Sequence, residues 1–162
     1  MEFKVGDKAV YPAHGVGVIA AIENVEWEGD TQAFYVMKIL DNGMTIRIPV
    51  GNVEAIGMRR VICEEHVQKV YEILHDRDVP ADNQTWNRRY REYMNRIKTG
   101  DPLEVAKVLR DLALLKQEKT LSFGERKMFD QARTLLVQEI AVACDVEEKV
   151  VEGKIDDIFE SL

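Results

Sequence analysis

Residues 34–74 read FYVMKILDNGMTIRIPVGNVEAIGMRRVICEEHVQKVYEIL, and within this stretch the chain changes its period. Phe34–Leu40 alternates as a strand does, Asp41-Asn42-Gly43 is a hairpin signal, and Met44–Pro49 reads as the return strand. Val53–Ile56 reads as a last short strand. After Arg60, Val67, Val70, Tyr71 and Leu74 recur at i, i+3, i+4 and i+7, the stripe of an amphipathic helix. The break predicts an α+β protein of two domains, a β domain over 1–60 and a helical domain over 61–162.

Upstream of the quoted stretch, Lys8–Tyr11 and Val16–Ile22 are β-rich runs. They are separated by the turn Pro12-Ala13-His14-Gly15, and Glu28-Gly29-Asp30 marks the next turn. Five short strands in so few residues predict a small SH3-like or Tudor-like barrel. Its aromatics, Tyr11, Trp27, Phe34 and Tyr35, suit either a methyl-lysine cage or a core, and strand spacing favours the core. In Met44–Pro49, Pro49 lacks a ladder donor, so this strand is expected to end or lie at an edge there. Arg47 on that strand is then a basic side chain beside a template for a partner's strand.

Downstream, Asp76–Asn83 reads as a loop containing Pro80. Trp86, Tyr90, Tyr93, Met94 and Ile97 form the next helical stripe, ended by Thr99-Gly100. Asp101-Pro102-Leu103-Glu104 and Ser122-Phe123-Gly124-Glu125 are helix starts, the second a capping box. The first carries Val105, Val108, Leu109, Leu112 and Leu115 inward; the second carries Met128, Phe129, Ala132, Leu135, Leu136 and Ile140. Asp145 is expected to cap a last acidic helix with Val146, Val150, Ile155, Ile158 and Phe159 inward. The count is five helices in a compact domain.

The 162 residues are 46% hydrophobic and 31% charged, a globular composition, and no apolar window is long enough to span a membrane. The N-terminus lacks the apolar run of a signal peptide, which predicts a cytoplasmic protein. Cys63 and Cys144 stand alone, so no disulfide or zinc framework is indicated, and both are expected to be small buried residues. No catalytic constellation, metal set or dinucleotide loop emerges; Gly15-Val16-Gly17 lacks both the third glycine and the strand–helix context. The chain is therefore expected to be no enzyme and to use no cofactor.

Net charge is −7, which argues against non-specific coating of nucleic acid. The charge is uneven, however. Residues 83–98 hold five basic side chains (Arg88, Arg89, Arg91, Arg96 and Lys98) against Glu92 alone. In TWNRRYREYM (85–94) aromatics interleave with guanidinium groups near a helix start; arginine forks suit phosphates, and an aromatic suits stacking or wedging. Trp86 also lies on its helix's apolar stripe, so periodicity alone favours a core role, while its place at the stripe's extreme end leaves room for exposure. Lys119, Arg126 and Lys127 cluster where the helix dipole disfavours cations, either to meet a phosphate or to pair with an acid.

FKVGDKAVYPAHGVG (3–17), TWNRRYREYM (85–94), EVAKVLRDL (104–112) and LSFGERKMFDQAR (121–133) resemble the CarD/CdnL family of bacterial transcription regulators, in order and nearly end to end. The resemblance implies an RNA polymerase-interacting β domain that docks on the β subunit. It implies a helical domain that contacts promoter DNA at the upstream edge of the bubble near the −10 element. The implied outcome is a stabilised open complex with the primary sigma factor holoenzyme, ribosomal RNA promoters included, and a nucleoid location through polymerase. Residue by residue, Trp86 matches the wedge tryptophan, Arg88, Arg89, Arg91 and Arg126 match DNA-backbone positions, and Arg47 and Pro49 match the polymerase-contacting strand. Val25 departs from the pattern, since some members carry arginine there. The rival reading is a protein adaptor whose basic helix meets an acidic protein partner.

Overall fold

The computed structural model describes residues 2–78 and 85–161. It divides into two compact units between Val61 and Ile62. Part of the expected loop over 76–83, Pro80 included, lies outside the described residues.

The first unit holds β1 (Lys8–Tyr11), β2 (Gly15–Trp27), β3 (Asp30–Ile39) and β4 (Thr45–Pro49), then a short 3-10 turn, α1 (Val53–Ile56) and β5 (Arg59–Arg60). All pairings are antiparallel, in the order β4-β3-β2-β1-β5. Among the described residues the five antiparallel strands form one ladder with β4 and β5 at its ends, the β half of the expected two-domain α+β fold. Val53–Ile56 is a helical turn rather than the expected strand. Gly57 ends it in the left-handed region (φ 85°), its N–H donating to the Val53 and Glu54 carbonyls. Four residues with apolar ends fit either period, so the pattern alone does not decide.

Phe3, Ala9, Ile19, Tyr35, Met37, Ile39, Ile48, Val53 and Met58 form the core of this unit. Gly17 has no alternative: a Cβ there would lie 2.6 Å from Met37 Cε and 2.9 Å from the Lys38 carbonyl oxygen. Of the four aromatics expected in the core, Tyr35 is buried and Tyr11 and Phe34 are half-buried, but Trp27 is 72% exposed. The reason is hairpin length. Glu28 and Gly29 both have positive φ, the two-residue turn that suits twisted strands, and the β2–β3 hairpin runs on past the core to that turn.

The second unit holds α2 (Glu64–His75), α3 (Trp86–Lys98), α4 (Pro102–Glu118), α5 (Phe123–Cys144) and α6 (Glu148–Glu160). Both expected helix starts form. Asp101 Oδ1 accepts from Leu103 N at 2.9 Å with Pro102 first in the helix. Ser122 and Glu125 make the reciprocal capping box. Asp145 does not cap α6; it ends α5 in the left-handed region (φ 53°), and Glu147 precedes α6 without a side-chain cap. The start of α6 is thereby shifted, so Val151, Ile155 and Ile158 face inward while Val146 and Val150 are exposed. Cys63 is exposed rather than buried because it precedes α2, off its stripe; Cys144 is half-buried. No helix among the described residues is long and apolar enough to cross a membrane.

Candidate nucleic-acid interface

The starts of α3 and α5 come together. Trp86 is the first residue of α3, so its indole has no preceding turn of its own helix to lie on. It lies instead on the first turn of α5, where a Cβ on Gly124 would stand 3.3 Å from indole Cζ2 and 3.4 Å from Nε1. Tyr90, one turn along α3, meets the indole edge-on at 5.8 Å between centroids. The indole is half-buried, Tyr90 is 45% exposed and Phe123, the first residue of α5, is 85% exposed. An aromatic tip of three side chains therefore faces solvent at the joined helix starts.

Phe123 was not among the sequence-derived candidates. Its signal was available: it stands five residues before Met128, off the inward stripe, so an apolar side chain there has no core to enter.

Around this tip the expected cations divide. Arg88, Arg91, Arg126 and Lys127 are exposed, and among the described residues none of them meets a carboxylate. Arg96 is held by Glu92 at 3.2 Å and by Glu104 at 3.8 Å. Arg89 departs from the expected outward cation. Its side chain is only 11% exposed, its Nη2 lies 3.6 Å from Glu125 Oε2, and its guanidinium sits 5.7 Å from the Trp86 ring centroid. Lys119 Nζ lies 3.5 Å from Glu125 Oε1, so among the described residues it is the cation of the cluster at the start of α5 that is paired with an acid.

Glu125 is the electrostatic centre of the arrangement, with its side chain 2% exposed. Burial pushes its carboxyl up, but hydrogen bonds from the Ser122 backbone and side chain, together with Lys119 and Arg89, outweigh burial and hold it below the ordinary carboxylate range. Arg89 Nε and Glu125 Oε2 are buried without hydrogen bonds, so the contact between the two residues is an ion pair of imperfect geometry.

In the first unit, Arg47 and Pro49 lie on the edge strand β4. The register sets Pro49, Phe34 and Glu23 in one cross-strand row and Arg47, Val36 and Ala21 in the adjacent row of the same face. Val25 and Trp27 continue that face toward the hairpin tip. Arg47 pairs with Glu23 at 3.4 Å, both side chains being well exposed.

A family model described as CarD, C-terminal domain, matches residues 69–156, and one described as CarD-like/TRCF RID domain matches residues 3–62. YdeB of Bacillus subtilis (strain 168), a candidate transcription factor, is 35% identical over 155 residues, covering 93% of this chain and 98% of that protein. Among solved structures, CdnLNt from Myxococcus xanthus is 52% identical and covers 40% of this chain and 90% of that one, with a TM-score of 0.34. The 72-residue N-terminal domain of Myxococcus xanthus CarD, solved by NMR in solution, is 37% identical and covers 36% of this chain and 79% of that one, with a TM-score of 0.32.

Proposed function

The chain belongs to the CarD family, and from that premise we propose that it regulates transcription initiation by holding RNA polymerase and promoter DNA at once. The observation that carries this reading is the aromatic tip of Trp86, Tyr90 and Phe123 with uncompensated Arg88, Arg91 and Arg126 beside it. Arginines position a protein on phosphates without reading sequence, and an apolar wedge exploits a base step that is already distorted. Trp86 is the wedge, entering the minor groove at the upstream edge of the bubble near the −10 element. Unstacking intact duplex costs a few kcal/mol per step; an opened junction costs less, so the wedge favours the open complex.

The first unit supplies the tether. Arg47 and Pro49, on an edge strand, dock on the polymerase β subunit, while Val25 lacks the arginine that some members of the family place there. Tethering to the primary sigma factor holoenzyme raises the effective concentration at the promoter, so weak intrinsic DNA affinity suffices in a chain of net charge −7. The test is open-complex lifetime at a ribosomal RNA promoter with wild type and Trp86→Ala. A shorter lifetime with polymerase binding retained supports the reading. An adaptor that meets an acidic protein instead would leave the lifetime unchanged and show no DNA contact with or without polymerase.

A further inference from the structure

Trp86 stands at the first position of α3, where no preceding helical turn restrains its χ angles. A wedge that must enter one base step benefits from being held in one rotamer beforehand, since free rotation is lost on insertion. Three groups lie against the ring: Gly124, where a Cβ would stand 3.3 Å away, Tyr90, edge-on, and the Arg89 guanidinium, 5.7 Å from the ring centroid. Of these, Arg89 is the one with a second partner. It stands three residues after Trp86, so its side chain leans back toward the helix start, and there Glu125 of α5 faces it.

We propose that Arg89 is a positioning residue for Trp86, its guanidinium fixed by buried Glu125 and laid against the indole so that the wedge is preset before it meets DNA. This rests on the wedge reading above. The division of labour differs from that of Arg88, Arg91 and Arg126, which are exposed. A guanidinium with 11% of its side chain exposed is poorly placed to reach a phosphate without abandoning the carboxylate beside it. Glu125 for its part is built into α5, its carboxylate accepting from Ser122 N at 2.9 Å and its own N–H donating to Ser122 Oγ at 3.2 Å. The anchor is therefore rigid, and what it fixes is transmitted across two helices to the indole.

The test uses the full chain with Trp27→Phe, which leaves Trp86 as the sole tryptophan of two. Arg89→Met removes the guanidinium while keeping the stem; Arg89→Met with Glu125→Gln removes both charges, so that no buried carboxylate is stranded if the single variant folds poorly. The expected result is that acrylamide quenching of Trp86 rises about twofold in either folded variant as the ring loses its cover. The salt dependence of binding to a labelled promoter fork stays unchanged, and Arg89→Lys recovers part of the protection. Open-complex lifetime should fall several-fold, toward that of Trp86→Ala. Unchanged quenching in the folded double variant overturns the proposal. So does a salt slope reduced by about one unit, which would make Arg89 a phosphate contact. The quenching needs no DNA, so it judges the positioning even if Trp86→Ala proves to have a normal lifetime and the wedge reading itself falls.

Discussion

The indole of Trp86 rests on Gly124, 38 residues away in sequence, at a separation that leaves a Cβ only 3.3 Å from the ring. That contact joins the starts of α3 and α5 and makes one surface of what the chain writes as two distant segments. Gly124→Ala tests it. Alanine is the better helix former by roughly 0.5–1 kcal/mol, and the ring must yield by a few tenths of an ångström, so net stability should change by less than about 1 kcal/mol. Trp86 quenching should nevertheless rise. A loss of several kcal/mol in a thermal melt would instead place the indole in a locked core.

Glu125 links this surface to pH. Its carboxyl is depressed below the ordinary 4.5, so its contribution to stability is fully present above that value and is lost as pH falls through the depressed folded value. Stability measured by denaturant titration should therefore decline below about pH 4.5, and Glu125→Gln should flatten part of that decline. An identical acid profile in the Gln variant would contradict the assignment.

Arg88→Ala should weaken DNA association about equally across sequences and reduce the salt slope by roughly one unit, because an exposed guanidinium releases about one counterion equivalent at a phosphate. Fluorescence anisotropy over a salt series on two unrelated fork sequences checks this. A loss confined to one sequence would make Arg88 a base reader.

Arg47→Glu reverses a charge and sets a second carboxylate near Glu23, which Arg47 now meets at 3.4 Å. Both groups are exposed, so the fold should lose no more than about 0.5 kcal/mol, with a melt near wild type. Association with the isolated β subunit should be abolished. Retained binding by this folded variant would move the docking surface elsewhere.

Local chemistry in the sequence set most of the architecture. The hairpin triplet Asp41-Asn42-Gly43 forms as expected, with Gly43 N donating to the Ile39 carbonyl at 2.9 Å and Met44 N to Asn42 Oδ1 at 2.9 Å. Pro49 does end an edge strand, and Ser122 and Glu125 do box the start of α5. What escaped depends on distance or on element ends. Asp145 lies between two helices and satisfies the end of one rather than the start of the next. Trp27 stands beside the turn at Glu28-Gly29, where the hairpin has run past the core, so strand spacing there no longer reports burial. Phe123 and Trp86 each open a helix, where periodicity says least, and the inward turn of Arg89 is fixed by Glu125 on another helix.

The wedge itself is judged most directly by the lifetime of the open complex formed by holoenzyme on one ribosomal RNA promoter, measured with wild type, Trp86→Ala and Trp86→Phe. The indole is half-buried, so truncation to Ala should cost about 1–2 kcal/mol, below the 3–5 typical of a fully buried aromatic, and the protein should stay folded and polymerase-bound. The predicted result is a complex that decays several-fold faster with Ala and is partly restored with Phe, whose flat apolar ring still enters a distorted step. A normal lifetime with folded, polymerase-bound Trp86→Ala would contradict the account.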